Sequence, residues 1–171
     1  PARDKVNQHY AKHTRSGKYS GCETYTDFRD LLARDDIDAV MVILPDHWHA
    51  LATVMACRAG KDVYCQKPMS LTVHDGQQMV KAARKYNRIV QVGTQNRSAP
   101  YNIAARRYIA EGKLGKVHFV RVLNQKFWAN FEMRENEPAP QGLDWEMWNG
   151  PAPARNYNKQ IHIQWRQLWD Y

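Results

Sequence analysis

Lys67 is the side chain of this sequence that is best placed for proton chemistry. It stands in Cys65-Gln66-Lys67-Pro68, directly after the apolar run at 62–65, so its amine lies at the end of a predicted strand. The carboxyl ends of parallel strands line the ligand crevice of an α/β sheet, which makes polar groups there better functional candidates than the same groups elsewhere. Lys67 is therefore the leading catalytic candidate.

Two further strand-like runs also end in polar residues. Residues 38–44 lead into Pro45-Asp46-His47-Trp48-His49, and residues 88–92 lead into Gly93-Thr94-Gln95-Asn96-Arg97. Parallel neighbours would bring both groups and Lys67 to one edge of the sheet. His47 and His49 could share a strand face, but no carboxylate or third histidine has suitable local spacing, so we predict no bound metal.

The segments between these strands have the features of helices. Residues 50–60 carry apolar side chains at helical spacing, with Gly60 placed to end the helix. The next segment begins with Thr72-Val73-His74-Asp75, which resembles a capping box, and ends at Asn87. The strands are apolar almost throughout, as expected when both faces of a sheet are covered. The predicted fold class is α/β, with part of a doubly wound parallel sheet.

Two helices are predicted outside this unit. Thr26 is expected to cap a short helix that runs to Ala33. Pro100 is expected to start, and Gly112 to stop, a connector helix.

The second half of the chain has a different character. Partial alternation in residues 116–127 predicts a strand of an antiparallel sheet with one wet face. From Trp128 onward the segment is aromatic and is predicted to be dominated by loops. We therefore place a domain boundary between residues 97 and 98.

Composition excludes several classes of protein. The 171 residues are 43% hydrophobic and 25% charged, as in ordinary globular proteins, and no apolar run approaches the roughly 20 residues that span a bilayer. The net charge of +8 raises the question of nucleic acid, but no recognisable binding motif accompanies the basic residues, so we predict no nucleic-acid partner and no membrane partner. The three cysteines are odd in number and lack CxxC spacing, which argues against disulfides and a zinc site.

The run from Asp38 to Gln95 resembles the Gfo/Idh/MocA family of nicotinamide-dependent sugar and polyol oxidoreductases. The motifs that match in order and spacing are Ile37-Asp38-Ala39-Val40, Pro45-Asp46-His47-Trp48-His49, Ala59-Gly60-Lys61-Asp62-Val63 and Lys67-Pro68. The resemblance implies a partial NAD(P)-binding Rossmann-type domain at 1–97. It also implies the start of an α+β domain at 98–171, with a mainly antiparallel sheet for substrate binding and oligomerisation.

The resemblance also implies roles for individual residues. The lysine of the family's Glu-Lys-Pro motif sits beside the nicotinamide and the reacting carbon, where it holds or relays the hydroxyl proton, and Lys67 matches it. Gln66 stands where glutamate is typical, so one negative charge is absent. The residues expected around NAD or NADP are Pro45, Asp46, His47, His49, Gln66, Lys67, Pro68 and Gln95. Those expected at the substrate are Lys67, Arg97, Trp165 and Arg166.

Several alternatives stay open at the level of residues. Gln95 and Arg97 either line the nicotinamide and substrate side of the cleft or are simply solvated. Trp165 and Arg166 either approach the cofactor or sugar or pack within the second domain. The family's glycine-rich phosphate loop and its Asp-x-x-x-His pair are not among residues 1–171, so we expect this chain alone to bind dinucleotide poorly and to be inactive.

The expected activity is NAD(P)-dependent oxidation or reduction of a secondary alcohol or ketone of a sugar, sugar derivative or cyclitol. Two alternatives remain, an NAD-retaining glycosidase or lyase of the same family and a non-catalytic sugar or nucleotide sensor. The whole protein is expected to be a homo-oligomer, either a dimer or a tetramer. A cytoplasmic location is the default expectation, and export stays open because the sequence begins without an initiator methionine.

Overall fold

The computed structural model describes residues 2–123 and 131–171, and its contacts divide the chain into two units, Pro1–Ile37 and Asp38–Tyr171. The first unit contains α1 (Ala2–Ala11) and α2 (Phe28–Leu32). The side chain that caps α2 belongs to Asp27, which accepts a hydrogen bond from the Arg29 backbone N–H at 2.8 Å and a second from the Arg29 guanidinium. The prediction of Thr26 as the cap is wrong, because the Asp27 carboxylate binds both groups of Arg29 from the position next to the helix.

The second unit is built on a three-stranded parallel sheet in the order β1-β2-β3. Its strands are β1 (Ala39–Val42), β2 (Asp62–Gln66) and β3 (Val90–Gly93). Between them lie α3 (His49–Arg58) and α4 (Val73–Lys85). The predicted alternation of strands and helices and the parallel sheet are confirmed.

The described helices of the sheet lie on one of its faces. Both crossovers run in the same direction along the sheet, and right-handed crossovers then place α3 and α4 on the same side, where the two helices contact each other. Val42, Val63 and Cys65 are buried, while Met41, which alternates with Val42, is 66% exposed. The apolar sequence of the strands predicts that helices cover both faces of the sheet. Among the described residues, α3 and α4 cover one face.

Local signals set the ends of α4. Thr72 is its N-cap, with Oγ1 accepting from the Asp75 backbone N–H at 3.1 Å and donating to the Asp75 carboxylate at 2.7 Å. Asn87 follows the helix in the left-handed region, with φ +51°. Both predicted boundaries are confirmed.

The segment that follows the sheet begins with α5 (Pro100–Ala110), which starts at the predicted proline and is followed by Gly112 at φ +73°. Every residue of α5 is exposed. Residues 116–123 form no strand, so that part of the predicted strand is wrong, and residues 124–127 lie outside the described part of the chain. A strand forms only when a neighbour accepts and donates its backbone hydrogen bonds, and no described strand pairs with this run.

The carboxyl-terminal segment contains α6 (Trp145–Asn149) and α7 (Lys159–Gln164), followed by a 3-10 turn at Trp165–Gln167. The two helices share what we call the C-terminal core. This core consists of buried Ala152, Ile161 and Tyr171, with Phe131, Trp145, Trp148, Trp165 and Leu168 packed against them. Most described residues of 131–171 lie outside helices, as predicted, and the aromatic rings of the segment pack on one another. In the described ranges no helix is long and apolar enough to cross a membrane.

Candidate functional site

The carboxyl ends of the three strands meet at one edge of the sheet, which we call the ligand edge. In the register, Val42 lies opposite Cys65, and Gln66 lies opposite Gly93. The segments that follow the three strands therefore start next to one another at this edge.

Lys67 follows β2 directly, and its side chain is exposed. Its peptide bond to Pro68 is cis, and its backbone N–H donates a 3.0 Å hydrogen bond to the side-chain oxygen of Gln66. On β3, a Cβ added at Gly93 would lie 2.6 Å from this Gln66 oxygen and 2.8 Å from the Tyr64 hydroxyl, so a larger residue there would displace both side chains. The Gln66 side chain thus orients the backbone of Lys67 and leaves its amine accessible.

Asp46 lies in the 3-10 helix Asp46–Trp48 that leads from Pro45 into α3. Its Oδ1 is buried and has no hydrogen-bond partner in the described structure, and it forms an ion pair with the Arg166 guanidinium at 3.8 Å. Arg166 in turn lies over the Trp165 ring, 3.9 Å from its centroid. The structure therefore brings the predicted Asp46, Trp165 and Arg166 together.

The ring of His47 packs against aromatic residues of the C-terminal core. It is 6% exposed, and its ring packs edge-on against Tyr171 with centroids 4.8 Å apart. Burial lowers the pKa of His47, and its Nε2 lies 3.1 Å from the Trp148 carbonyl. A neutral ring must donate from Nε2 to this carbonyl, which leaves Nδ1 as a buried acceptor without a partner among the described residues.

His49 is fully buried and is held at both ring nitrogens. Nδ1 lies 2.5 Å from the carbonyl oxygen of Pro68, and Nε2 lies 2.9 Å from that of Leu44. No surface of His49 remains for a cofactor. The structure therefore leaves neither predicted histidine open to a cofactor, because both rings are taken up by internal contacts.

Gln95 and Arg97 lie in an exposed 3-10 helix, Gln95–Ser98, after β3. Arg97 lines a cavity of about 330 Å³ with Asn96, Asn102 and Arg106. Within the described ranges, Arg97 forms no hydrogen bond or ion pair with the other predicted site residues. A more voluminous cavity of about 820 Å³ runs along residues 69–73 and α4, outside the set of predicted site residues.

Trp48 is a contact residue that the sequence analysis did not single out. Its Nε1 donates to the carbonyls of Met147 and Trp148, each at 3.1 Å, and its ring lies against Gly150. Its partners lie about a hundred residues away, so no local pattern predicts these contacts. The one sequence feature that pointed to Trp48 was its position inside the motif that follows β1.

One polar atom of the ligand edge is suited to a hydrogen-bond donor of a nucleotide. The Asp46 Oδ1 atom lacks a hydrogen bond, and a ribose hydroxyl or an amide N–H of a nucleotide would supply one. Residues 2–37 hold no glycine-rich turn between a strand and a helix N-terminus, so the described residues do not match a pyrophosphate site. Nor do three His, Cys, Asp or Glu side chains gather anywhere in the described ranges as a metal site would need.

Comparison with protein families matches both halves of the chain. Residues 5–94 match the family described as "Oxidoreductase family, NAD-binding Rossmann fold". Residues 106–171 match "Oxidoreductase family, C-terminal alpha/beta domain".

Individual relatives cover a limited part of their own length. The chain is 35% identical over 102 residues to 1,5-anhydro-D-fructose reductase of Ensifer adhaerens, which covers 60% of this chain and 31% of that protein. It is 32% identical over 110 residues to inositol 2-dehydrogenase of Rhizobium meliloti, with coverage of 64% and 33%. The crystal structure of myo-inositol 2-dehydrogenase from Lactobacillus plantarum matches with a TM-score of 0.52 and 30% identity, over 55% of this chain and 28% of that one. This chain therefore spans about a third of the length of these curated relatives.

Proposed function

The chain belongs to the Gfo/Idh/MocA family of oxidoreductases, and from this premise we propose that it supplies part of the active site of an enzyme dependent on NAD or NADP. The proposed reaction is the oxidation of a secondary alcohol, or the reduction of a ketone, on a sugar, sugar derivative or cyclitol. The observation that carries the proposal is the accessible amine of Lys67 at the ligand edge. The relatives named for inositol and anhydrofructose support the substrate class.

Lys67 is proposed as the catalytic residue that moves the hydroxyl proton. In the oxidative direction the reacting carbon gives up a hydride, and the hydroxyl proton passes to Nζ of Lys67 as the carbonyl forms. When bound, the nicotinamide supplies the hydride acceptor or donor. Because the lysine side chain is exposed, it returns the proton to water after turnover.

The proposed cofactor contacts are Pro45, Asp46, Gln66, Pro68 and Gln95, which all follow or end the three strands. Asp46 would accept a hydrogen bond from the nucleotide at Oδ1, which has no hydrogen-bond partner among the described residues. Gln66 contributes no charge to Lys67, since an amide cannot ionise, and its role is to hold the lysine backbone.

The proposed substrate contacts are Arg97, Trp165 and Arg166. A tryptophan face packs well on the apolar side of a sugar ring, and a guanidinium donates to its hydroxyls. The stacked pair of Trp165 and Arg166 beside Asp46 offers both groups next to the proposed cofactor site.

The division into a cofactor domain at 1–97 and a second domain at 98–171 is likewise a proposal. It is supported by the interval between the two matched ranges, which end at 94 and begin again at 106. The homo-oligomeric state of the whole protein, a dimer or a tetramer, is proposed together with it.

The test is an absorbance assay of nicotinamide reduction on the whole protein that carries this chain, with NAD and NADP and a panel of inositols and anhydro sugars. We expect substrate-dependent reduction of the nicotinamide, and Lys67→Met should lower kcat by about 100-fold or more. Lys85→Met, which removes an exposed lysine at the end of α4, is the matched control and should leave kcat unchanged. A Lys67→Met protein with full kcat would refute the role of the amine.

The same assay separates the alternative functions. An NAD-retaining glycosidase or lyase would consume sugar without net change in nicotinamide absorbance, because its cofactor is restored in each cycle. A sensor would bind ligand and show neither absorbance change nor product.

A further inference from the structure

Both ring nitrogens of His49 face main-chain carbonyl oxygens inside the protein. The Pro68 oxygen lies 2.5 Å from Nδ1, and the Leu44 oxygen lies 2.9 Å from Nε2. The ring is fully buried, so water does not compete for either nitrogen.

A carbonyl oxygen can only accept a hydrogen bond, whereas a neutral imidazole has a single N–H to donate. Two contacts of hydrogen-bond length to two carbonyls therefore require protons on both nitrogens. The neutral ring would instead place a nitrogen lone pair against a carbonyl lone pair at one of the two contacts, without solvent to separate them.

The surroundings of the ring agree with this charge state. Burial lowers the pKa of His49, but the Cys65 side chain and the carbonyls of Pro68 and Leu44 raise it by more. The pKa of His49 is therefore raised overall. The titratable groups that face the ring are Cys65 on β2 and His47 in the preceding 3-10 helix. His47 is the neutral neighbour, since its own pKa is lowered by burial.

The two carbonyls belong to the ends of neighbouring strands. Leu44 lies shortly after β1, Pro68 directly follows Lys67 at the end of β2, and His49 is the first residue of α3. We propose that His49 is a positioning residue, a buried imidazolium that ties these two strand ends together and so holds Lys67 at the ligand edge. Its effect on turnover rests on the proposed function of Lys67, whereas its charge state and its hold on the backbone do not.

Other roles for His49 do not match its contacts. A cofactor ligand would need exposed surface, and His49 has none. A helix cap would bond to free backbone N–H groups of α3, whereas the imidazole contacts carbonyls outside that helix.

The first measurement is the protonation of the His49 ring by ¹⁵N nuclear magnetic resonance on the whole protein at about pH 7.5, one unit above the ordinary histidine pKa. We expect two protonated ring nitrogens at His49. A spectrum of one neutral tautomer at His49 would overturn the proposal, and this result needs no enzymatic activity.

The second measurement compares His49→Gln with His74→Gln, a matched change of an exposed histidine on α4. The Lys67 backbone N–H is hydrogen-bonded to Gln66, so its amide exchange with solvent reports the order of this segment. We expect His49→Gln to lose protection at Lys67 and His74→Gln to keep it. Unchanged protection in a folded His49→Gln protein would contradict the positioning role.

The third measurement is steady-state kinetics of the same two variants. We expect His49→Gln to lower kcat by about 10- to 100-fold, as misplacement of a catalytic group does, with the KM for the cofactor unchanged. A rise in cofactor KM with full kcat would show a binding role and overturn the proposal. A wild-type protein without hydride transfer would refute the proposed function alone, because the ring and exchange measurements would still decide the role of His49.

Discussion

At the scale of single residues, Gly150 permits the contact between Trp48 and the C-terminal core. Its φ is +50°, in the region that favours glycine, and a Cβ there would overlap the Trp48 ring. This close approach lets the indole Nε1 reach the carbonyls of Met147 and Trp148. The residue after α6 thus determines how closely the sheet end and the core can meet.

We expect Gly150→Ala to destabilise the protein by about 2–5 kcal/mol, because backbone strain and overpacking against Trp48 add together. Gly142→Ala is the control, since Gly142 has φ +84° but no atom within 4 Å of an added Cβ. Its cost should be about 1–2 kcal/mol from the backbone alone. Urea unfolding followed by tryptophan fluorescence measures both, and equal losses would show that the Trp48 contact is unimportant.

At the scale of elements, α4 is fitted closely to the segment that follows Pro68. Thr72 caps its first turn, and a Cβ at Gly76 would come within 2.7 Å of the Met69 side chain and 3.0 Å of the Ser70 hydroxyl. The helix therefore begins directly beside the segment that leaves the ligand edge.

Loss of the cap should weaken this arrangement by a measurable amount. We predict that Thr72→Ala lowers the free energy of unfolding by about 1 kcal/mol, because the Asp75 backbone N–H loses its acceptor. Thr72→Ser keeps the hydroxyl and should stay close to the wild type. If urea unfolding shows the same loss for Ser as for Ala, the hydroxyl is not the source of the stability.

At the scale of the larger unit, Asp38–Tyr171, two buried histidines follow the end of β1, and one of them, His47, contacts the C-terminal core. His47 is buried against Tyr171 and Trp148 and remains neutral, while His49 beside it holds the strand ends. Their pKa values shift in opposite directions, downward for His47 and upward for His49. Stability should therefore respond to pH through both residues.

The lowered pKa of His47 predicts a loss of stability in mild acid. Below its ordinary pKa of 6.5 the unfolded chain binds a proton that the folded His47 resists, so stability falls as the pH drops towards the folded value. His49 has the opposite sign: its contribution is present below 6.5 and is lost as the pH rises through its raised folded pKa.

The check is urea unfolding of the wild type and His47→Phe between about pH 7.5 and about pH 5.5, the range in which histidines titrate. His47→Phe removes the titrating ring but keeps an aromatic side chain against Tyr171. We expect its stability to fall less steeply with acid than that of the wild type. Parallel slopes would mean that His47 binds its proton equally well in both states.

The sequence by itself determined the features that depend on nearby residues. The spacing of apolar residues located three strands and the helices between them. Residues typical of helix ends marked helix boundaries at Thr72, Asn87, Pro100 and Gly112. Parallel topology then followed from the order of elements, and with it the placement of Lys67 at the ligand edge. These inferences succeeded because caps, turns and periodicity act over a few residues.

Only the tertiary structure decided the partners that lie far apart in the chain. His47 meets a carbonyl 101 residues away, and His49 meets Pro68 across 19 residues, so no local pattern distinguishes these histidines from cofactor ligands. The run at 116–123 shows the converse, since its alternation suits a strand but no described neighbour pairs with it. Side-chain charge states and strand pairing depend on what burial and folding bring into contact, and a sequence pattern records neither.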